Sequence, residues 1–590
     1  MTIYDTLKDR YQQELTHLKQ KYNTISTFRV LSILLLFVTV FYFIKTANTI
    51  FAYTAVVLLA VFLVLMRWHT NISRKKQFAT ALVAINEKEI LYLNRTVIPF
   101  EDGAGFNDFK HPYVYDLDIF GPHSLFQHLN RTYTFIGTKT LAGQLTHILP
   151  NDQIEDNQEA VQELAQKLDW RQDFMAFAKI SNDSKQLYHT LINWSTFAST
   201  PVSKISVIIS IVSPLFLIAS FVAYQLTKAP VFVSLMSFFF VFNLIFLGSF
   251  YKRITIEIAN AEGVDAIIKQ YGLIVKHIEK ASFTSKKAQA LQKQLAYKNE
   301  TASLHLQQLS SLFSKMDSIH NLVTTILFNG LFLFHLHNLK GLLQWKKVNA
   351  VALTQWLAVI GEFEMLNSLA NFSYNNPAFA YPFLNTEYEI SFSGLSHPLL
   401  NEKTRVRNDV SFQPQSFMIL TGSNMSGKST FLRSLGINMV LTGMGAPVCA
   451  GAARVHPLPV LVSMRLSDSL SDSESYFYAE IKRLKQIMDE LEEQRAFVLL
   501  DEILRGTNSD DKRSGTIAVV KKMVHKKAIG AIATHDIEVC LTTNEFPERL
   551  TNKCFEVAII NDDLHFDYKL YDGICKNKSA TFLMEKMGVI

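Results

Sequence analysis

The chain has 590 residues, with 58 Lys+Arg against 52 Asp+Glu, a formal charge of +6, 48% apolar residues and only 19% charged ones. A near-neutral balance over this length supplies no general attraction for nucleic acid, and 44 Phe, 21 Tyr and only 15 Pro exclude disordered and collagen-like classes. The mean hydropathy of +0.12 places the apolar excess either throughout the chain or in a few segments, at a length that allows roughly four domains of about 150 residues.

Residues 1–27 carry Asp5, Asp9 and Glu14 and read as a cytoplasmic helix. Those acidic residues, and the lack of a small-residue cleavage site after the apolar run, argue against a secretory leader. Two apolar runs follow, 30–44 and 50–66, of 15 and 17 residues. They sit at or below the roughly 17 residues that a helix needs to cross a bilayer, and the first extends back to Thr24 if Arg29 snorkels. A second pair, 205–226 and 229–250, runs 22 residues each without a charge and is joined by Thr227 and Lys228. At 1.5 Å per residue each is about 33 Å long, enough for a hydrocarbon core of about 30 Å. The expectation is four transmembrane helices in two hairpins, 28–66 and 205–251. Lys19, Lys21, Arg29, Arg67, Arg74, Lys75, Lys76, Lys204, Lys252 and Arg253 flank one side, and each hairpin tip carries one Lys. By the positive-inside rule the N-terminus, residues 67–204 and everything after 252 face the cytoplasm. The expected location is a bacterial inner or cell membrane.

The stretches 67–204 and 252–385 read as two parts of an all-α core or lever domain. Residues 255–318 place apolar side chains three and four apart without a proline, which predicts one long helix or two. Residues 319–339 are apolar but carry His320, Asn321, Asn329, His335, His337 and Asn338, and read as a packed soluble helix. Cys449, Cys540, Cys554 and Cys575 lack C-x-x-C spacing and read as reduced thiols without a zinc site.

Residues 386–590 change character to short apolar strands, glycine turns and alternating helices. The buried strand 416–421 runs into Gly422, Ser423, Asn424, Met425, Ser426, Gly427, Lys428, Ser429 and Thr430, a G-x-x-x-x-G-K-S loop that opens a helix. In such a loop backbone amides wrap phosphates, Lys428 reaches the β- and γ-phosphates, and the Ser429 hydroxyl serves as a Mg²⁺ ligand. A second strand, 497–500, ends in Asp501, suited to hold Mg²⁺, and Glu502, suited to polarise the attacking water. A third, 528–533, ends in Thr534, His535 and Asp536; a histidine there can sense the γ-phosphate or orient the water. Three such features in this order predict ATP binding and Mg²⁺-dependent hydrolysis.

The sequences TGSNMSGKST, DEILRGTNSDD and ATHD resemble the ATPase domain of the MutS mismatch-repair family, an ABC-type fold. Ser396-His397-Pro398, the RLSD run from Arg465 to Asp468, and Ser475-Tyr-Phe-Tyr-Ala-Glu480 extend the likeness; the 116–121 run DLDIFG, Ser124-Leu125 and the 129–132 run LNRT resemble the start of the family's core domain. The resemblance implies an α/β ABC-type P-loop ATPase domain and a homodimer in which Ser475 completes the partner's ATP site. It also implies DNA binding in mismatch repair. The chain departs from the family in Tyr476, where the family has Thr, and in Ser423 and Ser426, where it has Pro and Gly. Only about 75 residues precede the core, most of them hairpin, so the N-terminal mismatch-reading domain is expected to be absent, and the second hairpin falls about where the family carries its DNA clamp. Lys521, Lys522, Lys526 and Lys527 read as a solvated helix face. Two functions follow: a membrane-anchored MutS-like ATPase that binds DNA, or an ABC-type ATPase that couples dimer closure to membrane helices or an unknown membrane partner without DNA.

Overall fold

A computed structural model of the chain describes residues 2–259, 263–297, 300–465, 476–560 and 563–575, with isolated positions between 584 and 590. The first two helices, Ile3–Thr46 and Thr49–Leu93, are unbroken. Thr2 caps the first in a reciprocal capping box with Asp5, and Asn48 caps the second. Residues 27/28 and 66/67, where composition changes, therefore fall inside continuous helices. The apolar halves face outward, while the polar halves pack through Leu7, Tyr11, Leu15 and Leu18 against Ala79, Leu82, Ile85 and Met175. Buried Arg131 pairs there with Glu89, and the Tyr4 hydroxyl donates to Asn375 at 2.8 Å.

The second hairpin consists of Lys204–Thr227 and Pro230–Ala259. With the first two, these make four helices, among the described residues, long and apolar enough to cross a membrane.

Two expectations for the helical region are corrected. Residues 255–318 make neither one long helix nor two. They divide into Val264–Lys280, Lys286–Lys293 and Ala302–Asp317, with Ala296–Tyr297 pairing antiparallel with Glu300–Thr301. The break after Lys280 is fixed by Glu163, whose carboxylate accepts the backbone N–H groups of Thr284 and Ser285 at 2.9 and 2.8 Å. Nor do residues 319–339 form one packed helix. Leu322–Phe332 and Phe334–Asn375 meet at 85° around Leu333, whose φ is 48°, and the shorter helix leaves most of its apolar side chains exposed. The long rod of this helical region is instead Phe334–Asn375, 42 residues, or about 63 Å.

That rod leads directly into the α/β region. A small sheet orders Phe383–Leu384, Ala452–Val455, Ile390–Leu395 and Asn408–Ser411. The larger sheet runs Asp563–Asp572, Leu550–Ile560, Phe417–Gly422, Ile529–Ala533, Phe497–Asp501 and Val460–Ser463. Its pairs are parallel except the Leu550–Ile560/Asp563–Asp572 edge. Phe417–Gly422, Phe497–Asp501 and Ile529–Ala533 are buried throughout, as parallel strands covered on both faces must be.

Candidate nucleotide site

Register builds the site. Ala533 pairs with Leu420 on one side and Asp501 on the other, so three strand ends open at one level, the edge where parallel sheets bind ligands. From the first strand the chain turns through Gly422 and Gly427, at φ 157° and 100°, into the helix Lys428–Gly443. A Cβ on Gly427 would lie 3.1 Å from the Tyr568 ring, and Gly427 sits in the left-handed region that disfavours side chains. The first-turn N–H groups of the following helix lack intrahelical acceptors and point into the loop. The Ser423 and Ser426 hydroxyls are buried without hydrogen-bond partners. Both features suit a phosphate anion.

Lys428 curls back to donate to the carbonyls of Gly422 and Ser423, each at 2.9 Å. Burial pushes its amine down, against the pull of the Glu502 and Asp501 charges. Burial raises the Asp501 carboxyl, opposed by a hydrogen bond from the Ser429 hydroxyl. The structure thus joins the two residues expected to hold a metal. An oxygen-only pair of hydroxyl and carboxylate suits a hard cation such as Mg²⁺.

Glu502 takes φ 47°, an uncommon backbone for a non-glycine residue that costs on the order of 1–3 kcal/mol and often marks functional sites. Its N–H is held by the Ala533 carbonyl at 3.0 Å. Its carboxylate meets His535 Nε2 at 2.5 Å. That hydrogen bond, with the nearby cations, holds the Glu502 carboxyl down to about 2, so it is ionised across the physiological range. Lys428, Ser429, Asp501, Glu502 and His535 are thereby brought together as their spacing predicts.

Ser475 lies outside the described residues. The helix that follows it, Tyr476–Glu493, is tied to the site because Glu480 accepts the N–H groups of Leu504 and Arg505 at 2.7 and 3.1 Å. On the opposite side Asp116 accepts the N–H groups of Met464 and Arg465 at 2.8 and 2.7 Å, and Asp118 bridges Arg433 and Arg465. The DLDIFG run therefore clamps both the helix after the loop and the strand leading to the signature segment.

A cavity of about 540 Å³ extends from the loop past His397, Thr404, Val406 and Tyr568. Motif reading missed Thr404, Val406 and Tyr568, and also Arg505, which lies 3.6 Å from the Glu502 carboxylate. Tyr568 reaches the loop only because the last strand doubles back and Asn408 holds its carbonyl at 3.0 Å; no local pattern encodes that. Arg505 stands three residues from Glu502, a spacing that could have exposed it.

Residues 418–588 match the family described as MutS domain V. Among curated proteins, DNA mismatch repair protein MutS of Thermotoga neapolitana is 30% identical over 208 residues, 34% of this chain and 25% of that protein. The protein of the same name from Thermotoga petrophila is 29% identical over 223 residues, 36% of this chain and 27% of the relative. Human MutS protein homolog 4 is 27% identical over 194 residues, 31% and 20% of the two chains. The alignments span about a quarter of these relatives' length. They support membership of the MutS family, and they support it through the C-terminal part of the chain.

Proposed function

We propose that this protein is a membrane-anchored, Mg²⁺-dependent ATPase of ABC type whose nucleotide-driven rearrangement is delivered to its membrane helices. The observation that carries the reading is the convergence of Lys428, Ser429, Asp501, Glu502 and His535 at one sheet edge. In this reading the loop amides and Lys428 bind the β- and γ-phosphates. Ser429 and Asp501 would hold Mg²⁺, which when bound neutralises phosphate charge. Glu502, kept ionised, accepts the proton of the attacking water, and His535 orients Glu502 while facing the γ-phosphate. Ser475 of a second copy closes the site, so two ATP molecules cement a two-fold dimer. The four apolar helices cross a cell membrane with both soluble regions in the cytoplasm.

The test pairs two variants. Lys428→Ala should lose ATP binding, whereas Glu502→Gln should bind ATP, cease to hydrolyse it and accumulate as a dimer. A Glu502→Gln protein that stays monomeric with bound ATP would reject the composite site.

A second reading, binding of mismatched or structured DNA, is favoured by the relatives, which are named as DNA mismatch repair proteins. Measured in detergent at about 100 mM salt, where phosphate contacts are already weakened, retention of homoduplex, mismatched or branched DNA with ATP would establish it, and no retention of any of them would reject it.

A further inference from the structure

The short helix Leu322–Phe332 carries no charged residue, and its Leu322 and Val323 are 72% and 73% exposed, with Ile326, Leu327 and Phe328 also in the open. Its 11 residues reach only about 16 Å, roughly half a hydrocarbon core, so it cannot cross a bilayer. A core helix of this composition would hide its leucines; this one hides Asn329 and Gly330.

What pins those two residues sets their depth. Asn243, wholly buried within the second hairpin, donates to the Gly330 carbonyl at 2.8 Å and accepts from the Ser213 hydroxyl at 2.6 Å. A Cβ on Gly330 would fall 2.3 Å from the Phe240 ring, so only glycine permits the approach. A little further on, His337 Nε2 lies 3.1 Å from the Ser210 carbonyl. Ser213 is nine residues from Lys204, and Asn243 nine from Lys252. Both therefore stand about 13 Å along their helices from the charged belt. Gly330 is tied at that depth, while charge returns only at Asp317 before it and Lys340 after it.

The bend is also stitched by its own backbone and side chains. The Leu333 N–H donates to the Asn329 carbonyl at 3.0 Å, the His335 N–H donates to Asn329 Oδ1 at 2.9 Å, and Asn329 Nδ2 lies 2.7 Å from His335 Nδ1. Broken helices are tolerated at membrane depth only where the backbone is satisfied in this way or buried in protein.

We propose that residues 322–339 form a re-entrant element that dips into the cytoplasmic leaflet, with the exposed face of Leu322–Phe332 against lipid acyl chains. This rests on the second hairpin crossing the bilayer. It makes the 63 Å rod begin inside the membrane rather than beside it.

The test uses the full chain with Cys575→Ser in vesicles of phosphatidylethanolamine and phosphatidylglycerol; Cys449, Cys540 and Cys554 are buried. A polarity-sensitive fluorophore is placed at Val323→Cys or Phe328→Cys, with Val241→Cys as the hairpin reference and Glu155→Cys as the aqueous one. Lipids carry a nitroxide either near the headgroup or deep in the chain. Both test sites should lose fluorescence as Val241→Cys does, Val323→Cys more to the shallow nitroxide and Phe328→Cys more to the deep one. Quenching at Val241→Cys alone would overturn the re-entrant element and leave the hairpin standing. No quenching at Val241→Cys would overturn both. Equal, shallow quenching at the two test sites would mean a helix lying flat and would overturn the dip. Asn243→Leu should reduce the deep quenching of Phe328→Cys; unchanged depth would overturn the pin.

Discussion

The two apolar hairpins differ in how they meet the rest of the molecule. In Thr49–Leu93 none of the most apolar 18-residue stretch is buried in protein, and in Ile3–Thr46 only 6% is; in Lys204–Thr227 the share is 28%. Among the described residues, the first hairpin meets the helical region where its helices have become polar, through Tyr4, Glu89 and the packing of Leu82 and Ile85 with Met175. The second is engaged within its apolar length, through Ser213, Asn243 and Ser210. If both cross a bilayer, the first is a post with its grip outside it, and the second is grafted within its apolar length onto the start of the rod.

Four substitutions sharpen or break that contrast. The largest effect is expected from Lys428→Ala: if motion starts at the nucleotide site, ATP-dependent changes in labelling at Asn243 should vanish with ATP binding, while the first hairpin stays as it was. Next, Glu89→Ala strands the buried Arg131 cation and should destabilise the polar end of the first hairpin by about 3–5 kcal/mol in denaturant unfolding; a loss under about 1 kcal/mol would mean that this end is not the grip. Asn243→Leu leaves the Gly330 carbonyl and Ser213 hydroxyl without partners and should cost about 1–3 kcal/mol. Val57→Leu, at an exposed position of the first hairpin, should stay within about 0.5 kcal/mol, and equal losses for the two would erase the distinction.

A further effect, in the pH dependence of stability, is expected towards the Asn375 end of the rod. Burial pushes the Glu364 carboxyl up to about 8, against hydrogen bonds from Thr134 and Tyr133. A carboxyl raised above its unfolded value, near 4.5, gives stability that is full below pH 4.5 and is lost as pH rises towards 8. Glu364→Gln copies the protonated acid, with its oxygen towards the N–H of Tyr133 and its amide towards the Thr134 hydroxyl. Unfolding midpoints should therefore fall between pH 5 and 8 in the parent and stay level in the variant.

How much of this was legible beforehand follows from range. Gly422 to Thr430, Asp501, Glu502 and His535 could be read because each motif is local and parallel register does the rest. The second hairpin was legible because 22 uncharged residues in a row need no tertiary context. The site's outer wall was not: Tyr568 arrives through a strand reversal and an asparagine 160 residues away in sequence. The bend at Leu333 was hidden for a related reason. Its asparagines and histidines read as signs of a soluble helix, whereas they stitch a break to a neighbouring helix, a use that composition does not distinguish. The interruption after Lys280 is likewise imposed by Glu163 from another helix.

The rod Phe334–Asn375 is held at its first turns by the second hairpin and at its last residue, through Asn375, by the helix that becomes the first. A beam fixed at both supports cannot tilt unless the supports move apart. If both hairpins cross the bilayer, any swing of the rod changes their spacing in the membrane plane, and linkage requires the reverse. Bilayer thickness and lateral pressure then become variables of ATP affinity, and the same protein should bind nucleotide differently in short-chain and long-chain lipid.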